Sequence, residues 1–98
     1  MLTRTYFVYM MTNKKHGTLY TGVTNDLVKR VYQHREGQVE GFTRKHDLKR
    51  LVWYEPFDDI EQAIAQEKRI KRWRREWKFQ LIEKQNPDGN DLWSEINK

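Results

Sequence analysis

The chain has 98 residues, of which 37% are hydrophobic and 13% aromatic, so we predict one domain over residues 1–98 with a modest core. It lacks cysteine, a signal-peptide pattern and any apolar run near the ~20 residues that cross a membrane, which excludes a disulfide framework, a thiolate metal site and a membrane span. We therefore expect a cytoplasmic protein, and its net charge of +5 favours an anionic partner.

A β-hairpin is predicted at the start of the chain. Two short runs rich in aromatic and β-branched residues, 6–11 and 19–24, flank a polar loop over residues 12–18. Alternation along a strand places Tyr9 on one face of the first strand, and Tyr20 and Gly22 together on one face of the second.

A helix is predicted directly after the hairpin. Asn25 and Asp26 offer an N-cap, and Gly37 is a natural stop. Arg30 and His34 lie four residues apart, so they project from neighbouring turns of one side of this helix. The two hairpin tyrosines, the arginine and the histidine are therefore predicted to converge on one cleft.

These motifs resemble the GIY-YIG nuclease family, named for two strands that end in Gly-Ile-Tyr and Tyr-Ile-Gly and are followed by a helix with an arginine. Phe7-Val8-Tyr9 and Tyr20-Thr21-Gly22 stand at the two places, with Phe7 and Thr21 as departures. The resemblance runs from Thr5 to about Trp93 and is nearest to small, single-domain bacterial members, relatives of the nuclease domain of an excision-repair enzyme. It implies catalytic roles for Tyr9, Tyr20, Arg30 and His34, an active-site place for Gly22, and a function in DNA repair.

The next stretch is predicted to be a long loop and then a third strand. Residues 37–49 are polar and show no clear period, and the basic residues Arg44, Lys45 and His46 either touch a phosphate backbone or simply solvate the loop. Residues 50–57 are predicted to form a strand, with Pro56 as its stop signal because proline cannot donate to a sheet ladder. The predicted fold class is α/β (α+β), with a three-stranded, mainly antiparallel sheet flanked by helices.

A second long helix is predicted from Ile60, capped by the acidic pair at 58 and 59. Its apolar stripe comprises Ile60, Ala63, Ile64 and Ile70. Glu67 falls on the same stripe, which breaks the local pattern and leaves two alternatives, a boundary glutamate paired with a nearby basic residue or a functional carboxylate. The family resemblance implies the second, with Glu67 holding a single Mg²⁺ or Mn²⁺ ion.

The excess positive charge is concentrated in residues 68–78. This segment has seven basic residues and one acidic residue, whereas the other 87 residues have 12 basic and 13 acidic ones. Such clustering is typical of a surface that binds a polyanion, although a solvated helix face is the alternative. The predicted nucleic-acid contacts are Lys68, Arg69, Lys71, Arg72, Arg74, Arg75 and Lys78. Trp73 and Trp77 are expected in the core rather than stacked on bases.

The C-terminal part is predicted to contain a helix over residues 74–84, a turn at 86–89, and a short helix through Leu92, Trp93 and Ile96. The resemblance places an asparagine near the active site at Asn86. Asn-Pro is also expected in a turn for purely local reasons, so both alternatives stay open for Asn86.

Hydrolysis of a DNA phosphodiester bond by a divalent-metal-dependent endonuclease is the function that the resemblance implies. One carboxylate can suffice for Mg²⁺, which keeps most of its waters, and Arg30 offers a planar fork to phosphate oxygens. Whether Tyr9, Tyr20 or His34 takes the proton stays open. We expect low intrinsic sequence specificity, with branched or damaged DNA or a protein partner as sources of selectivity. A non-catalytic nucleic-acid-binding module and a protein–protein adaptor are the alternatives.

Overall fold

The computed structural model describes residues 4–39 and 41–98 of the chain, and the predicted domain over 1–98 includes four residues outside that range. Eight elements follow one another along the chain. They are β1 (Tyr6–Thr12), β2 (Leu19–Thr24), α1 (Leu27–Arg35), α2 (Phe42–Lys45), β3 (Arg50–Phe57), α3 (Ile60–Arg72), α4 (Arg75–Gln85) and α5 (Trp93–Ile96).

The three strands form one sheet in the order β2-β1-β3, and both pairings are antiparallel. This confirms the predicted α/β class with a three-stranded antiparallel sheet and flanking helices. Tyr9 lies in the central strand, opposite Gly22 on one side and Tyr54 on the other. The centre of the sheet is therefore where side chains from all three strands can meet.

Apolar residues cover both faces of the sheet and form two cores. A bulge in β3 changes which of its residues face each core. Met10 pairs with Trp53 and Met11 pairs with Leu51, which leaves Val52 as an extra residue. Val52 and Trp53 consequently lie in the same core. The first core comprises Val8, Met10, Val52, Trp53, Ala63, Ile70 and Ile82, and the second comprises Tyr9, Met11, Leu27, Val31, Leu48, Leu51 and Leu92.

The helices α1 and α3 begin at aspartate caps. The Asp26 side chain accepts a hydrogen bond from the backbone N–H of Lys29 at the start of α1, and Asp59 accepts one from Glu61 at the start of α3. Gly37, directly after α1, has a φ of +69°, a conformation that glycine adopts without strain. These local signals explain why the helix starts lie where the sequence predicts them.

Three sequence predictions need correction. The predicted loop over 37–49 contains the short helix α2, which is anchored by the buried Thr43, whose hydroxyl donates to the carbonyl of Val39. Ile60, predicted on the apolar stripe of α3, is exposed. Trp73 packs against the first core as expected, but Trp77 is 43% exposed, so its predicted core position is wrong.

The outer edge of β3 is closed by the segment that follows α4. The Gln85 amide accepts from the N–H of Tyr54 and donates to its carbonyl at 2.7 Å. The N–H of Leu92 donates to the carbonyl of Leu51 at 2.8 Å. Side-chain and backbone groups of residues 85–92 therefore take the place of a fourth strand.

Candidate active site

Three rings from three different elements meet beside the central strand. The ring centroids of Tyr9 and His34 are 5.7 Å apart, those of Tyr20 and His34 are 5.7 Å apart, and those of the two tyrosines are 6.3 Å apart. β1 and β2 supply the tyrosines through their alternation, and the last turn of α1 supplies the histidine. The structure thus brings together three of the residues that the sequence pattern nominated, and we call them the ring cluster.

Gly22 makes room for the ring cluster. A Cβ atom at this position would lie 2.6 Å from the Tyr9 hydroxyl oxygen and 2.9 Å from Cε2 of Tyr20. Real Cβ atoms do not approach heavy atoms so closely, and an interior packed at this density yields only with strain. Gly22 therefore lies at the candidate site because both tyrosine rings need the space that a side chain would fill.

The Tyr9 hydroxyl and Nε2 of His34 form a buried hydrogen bond of 3.0 Å. Tyr9 is 2% exposed and His34 is 3% exposed. Among the described residues no group pairs with the other ring nitrogen, Nδ1. With a neutral imidazole, the tautomer decides the direction of this bond: either the Tyr9 hydroxyl donates to Nε2, or an Nε2–H donates to the Tyr9 oxygen.

Burial shifts the titration of both partners away from neutral pH. Desolvation, assisted by the charge of Arg30, lowers the pKa of His34 to about 4. Desolvation also raises the pKa of Tyr9 above its ordinary value of 10.0, with Tyr20 and Glu67 adding to the effect and Arg30 opposing it. Near pH 7 the buried pair is therefore a neutral imidazole bonded to a neutral phenol.

Arg30 lies half-buried on α1, one turn before His34. Its positive charge acts to lower the pKa of both Tyr9 and His34, so the guanidinium interacts electrostatically with the ring cluster. Within residues 4–39 and 41–98 its side chain has no ion pair or hydrogen bond. A guanidinium in that position is available to an anion such as a phosphate group.

Glu67 reaches the same region from α3. Its side chain is 15% exposed, and its charge contributes to the raised pKa of Tyr9. It also forms an ion pair with Lys71, with 3.0 Å between Nζ and Oε2. Both sequence alternatives for this carboxylate thus have support: it pairs with a basic residue, and it lies beside the ring cluster.

The donor groups fit one largely hydrated divalent ion and no larger metal centre. In the described part of the chain, no three His, Asp or Glu side chains are grouped closely enough to hold a metal. Mg²⁺ takes one or two carboxylates and completes its shell with water and substrate oxygens. Glu67 supplies one such carboxylate.

The basic segment is less uniform than its sequence suggests. Arg75 donates to the carbonyls of His16, at 2.7 Å, and Gly17, and its guanidinium lies 4.7 Å from the centroid of the Phe79 ring. This arginine therefore clamps the hairpin loop to α4. No local pattern in the sequence indicates this clamp, because the partners of Arg75 are backbone carbonyls 58 and 59 positions away.

The other basic residues of the segment have varied surroundings. Arg74 lies over the Trp77 ring at 4.7 Å, and Lys71 pairs with Glu67. Burial is the largest cause of the lowered pKa of Lys78, and the charges of Arg75 and Lys71 add to it. Arg74 also forms an ion pair with Glu76, with 3.6 Å between the two side chains. Among the described residues, the cations of the segment that have neither an ion pair nor the carbonyl contacts of Arg75 are Lys68, Arg69, Arg72 and Lys78.

Asn86 is buried at the end of α4, and backbone groups occupy its amide. Its Nδ2 donates to the carbonyls of Val52, at 3.1 Å, and Asn90, at 2.8 Å, while its Oδ1 accepts from the N–H of Asn90. Of the two alternatives for this residue, the geometry favours the turn.

The basic residues of the predicted loop lie on and beside α2. Arg44 and Lys45 are exposed, and the His46 and Phe42 ring centroids are 4.4 Å apart.

Comparisons with known proteins agree with the fold. A model of the GIY-YIG catalytic domain matches residues 5–80. The UPF0213 protein of Clostridium perfringens is 35% identical over 93% of this chain and 97% of its own length, and that of Haloquadratum walsbyi is 37% identical over 89% and 92%. The solution NMR structure of a UPF0213 protein from Bacillus halodurans superposes with a TM-score of 0.52 at 29% identity, covering 95% of each chain.

Among the described residues, no helix has the length and apolar character needed to cross a membrane.

The family match spans β1 through the first half of α4 and includes every member of the ring cluster together with Arg30 and Glu67. This chain belongs to the GIY-YIG catalytic domain family.

Proposed function

We propose that this protein is a divalent-metal-dependent endonuclease that hydrolyses phosphodiester bonds in DNA. The observation that carries the proposal is the meeting of the Tyr9, Tyr20 and His34 rings, under the charges of Arg30 and of the partly buried Glu67, in a chain of the GIY-YIG family. Hydrolysis of a phosphodiester requires a proton acceptor, a positive group for the phosphate oxygens and relief of charge on the leaving oxygen. The candidate site offers a group for each task.

Arg30 is the residue that we assign to the phosphate. Its planar fork matches two non-bridging oxygens, and its half-buried position strengthens the interaction relative to water. A bound phosphate would also offset the Arg30 charge that helps to depress the pKa of His34. Substrate binding is therefore expected to raise the pKa of His34 towards its ordinary range and to make it a better base.

Tyr9 and His34 form the proton path in this proposal. The attacking water gives a proton to the Tyr9 oxygen while Tyr9 passes its own proton to Nε2 of His34 across the existing 3.0 Å bond. The resulting hydroxide attacks phosphorus, and the departing sugar oxygen takes a proton from solvent. Tyr20, the least buried of the three rings, lies where it can orient the water.

Glu67 is the residue that would hold a divalent ion, with water completing the coordination. When bound, Mg²⁺ or Mn²⁺ would supply Lewis-acid stabilisation of the charge that develops on the phosphate. The exposed cations of α3, such as Lys68 and Arg72, are suited to the DNA backbone and not to base edges. We therefore propose low intrinsic sequence specificity, with DNA shape or a protein partner as the source of selectivity.

Nicking of supercoiled plasmid in Mg²⁺ or Mn²⁺ tests the proposal. We expect cleavage by the wild type to be abolished by Glu67→Ala and by EDTA. Glu61→Ala, which removes an exposed carboxylate from the first turn of the same helix, is the matched control and should retain cleavage. Cleavage that survives Glu67→Ala would show that the metal ligand is assigned wrongly.

A non-catalytic DNA-binding module is the second candidate, and the ion pair between Glu67 and Lys71 favours it because the carboxylate is already engaged. The two candidates differ in one measurement. A binding module would show DNA affinity that falls steeply with salt but no nicking with either metal. An enzyme would show both.

A further inference from the structure

Lys71 contacts two residues of the candidate site, Glu67 and Tyr20. Binding of the DNA backbone by the basic segment does not require these contacts. The Lys71 ammonium is paired to Oε2 of Glu67 at 3.0 Å and lies 6.0 Å from the centroid of the Tyr20 ring. The Lys71 side chain is 49% exposed, whereas that of Glu67 is 15% exposed. One end of the ion pair is thus held by the fold, and the other end reaches in from solvent.

The need for a cation at this point follows from the burial of the carboxylate. A carboxylate that is largely removed from water is costly unless a positive group lies beside it. An ammonium and a hydrated divalent ion both meet that need, and they compete for the same oxygens. Lysine has a flexible four-carbon stem and a strongly hydrated head, so a half-exposed lysine can leave at little cost.

We infer that Lys71 is the resident counter-ion of Glu67, that a divalent ion binds by displacing it, and that the released ammonium then contacts a phosphate oxygen of the substrate beside Tyr20. The inference rests on the assignment of Glu67 as metal ligand in the proposed function. It gives Lys71 a positioning role that differs from that of Lys68 or Arg72, which are exposed on the same helix.

The first test measures Mn²⁺ affinity without DNA, by electron paramagnetic resonance of the free ion. Lys71→Met should bind Mn²⁺ about fivefold more tightly than the wild type, because an ion pair no longer has to break. Lys71→Arg keeps the pair and should resemble the wild type. Lys29→Met, which removes the same charge from an exposed position on α1, should also leave the affinity unchanged.

The second test counts phosphate contacts through the salt dependence of DNA binding. Measurements are made in an Arg30→Ala background, which suppresses the proposed turnover and leaves Glu67 intact. In EDTA the chains with Lys71 and with Lys71→Met should have about equal slopes of log affinity against log salt. In Mn²⁺ the chain with Lys71 should be steeper by about 0.9, the value for one added phosphate contact on duplex DNA.

Both tests are independent of cleavage, so they separate this inference from the proposed function. If the protein meets both expectations but does not nick plasmid, the inferred role of Lys71 stands and the proposed endonuclease function is wrong. Equal or weaker Mn²⁺ binding by Lys71→Met overturns the role of Lys71, and so does the absence of Mn²⁺ binding in every variant. Equal slopes in Mn²⁺ remove the substrate contact.

Discussion

Tyr9 and Gly22 face each other across β1 and β2, and the Tyr9 hydroxyl occupies the space that a Gly22 side chain would need. We predict that Gly22→Ala lowers the free energy of unfolding by about 1–3 kcal/mol, the usual cost of overpacking a buried site. It should also displace the Tyr9 hydroxyl from His34. Urea unfolding measures the first effect, and NMR titration of His34 measures the second.

The control for Gly22→Ala is its combination with Tyr9→Phe, which deletes the atom nearest to the new methyl group. The two losses of stability should be less than additive, because the second change removes part of the clash that the first one creates. Strict additivity, or an alanine variant as stable as the wild type, would contradict the packing argument.

The folded protein should lose stability as the pH falls through the range set by His34. Its pKa is lowered from 6.5 to about 4 in the folded state, so the unfolded chain binds the proton more readily. The contribution is fully present above pH 6.5 and is lost as the pH falls towards 4. At pH 5 the loss of stability amounts to about 2 kcal/mol.

Urea unfolding of wild type and His34→Gln at pH 7.5 and pH 5.0 isolates this contribution from that of other groups. The difference between the two free energies should be smaller in the variant by about 2 kcal/mol. An unchanged pH dependence would mean that the imidazole titrates normally in the folded protein.

The charge of Arg30 should affect the pKa of His34, and the planar shape of its guanidinium should affect the rate of cleavage. We predict that Arg30→Ala raises the pKa of His34, because a neighbouring positive charge is removed. Arg30→Lys keeps the charge and should leave that pKa near its wild-type value. Cleavage should nevertheless fall by about two orders of magnitude in Arg30→Lys, because the planar fork is lost. NMR titration and plasmid nicking give the two readouts, and full activity in Arg30→Lys would remove the fork from the mechanism.

Arg75 is predicted to matter for stability more than for DNA binding. Arg75→Ala removes donors to the carbonyls of His16 and Gly17 and should cost about 1–3 kcal/mol in urea unfolding. Arg72→Ala, an exposed neighbour at the end of α3, should change the stability by no more than about 0.5 kcal/mol. Equal effects of the two changes would argue against the clamp.

Local patterns account for the parts of the fold that the sequence predicted correctly. The alternation of β1 and β2, the aspartate caps of α1 and α3 and the i, i+4 spacing of Arg30 and His34 each act over a few residues. They suffice to bring the tyrosines and the histidine to one place. The helix α2 lies outside such patterns, because its four residues depend on the buried Thr43 and on the chain around it.

The properties of the site depend on packing that no local pattern records. His34 is neutral because a second core covers the face of the sheet to which Tyr9 belongs, and that core draws on Leu48 and Leu92 from distant parts of the chain. Trp77 carried the same apolar signal as Trp73, yet only Trp73 reaches a core. The sequence left open a pairing of Glu67 with a nearby basic residue, and the structure identifies that residue as Lys71, four positions later on the same helix.

The closure of β3 by Gln85 and Leu92 has a consequence for association between chains. An exposed strand edge with free N–H and C=O groups is a template on which another molecule can add a strand, and it leads to domain swapping or fibrils. Here the outward backbone groups of Tyr54 and the carbonyl of Leu51 already have partners within the same chain. Intermolecular growth of the sheet at this edge is blocked by a side-chain amide and a loop.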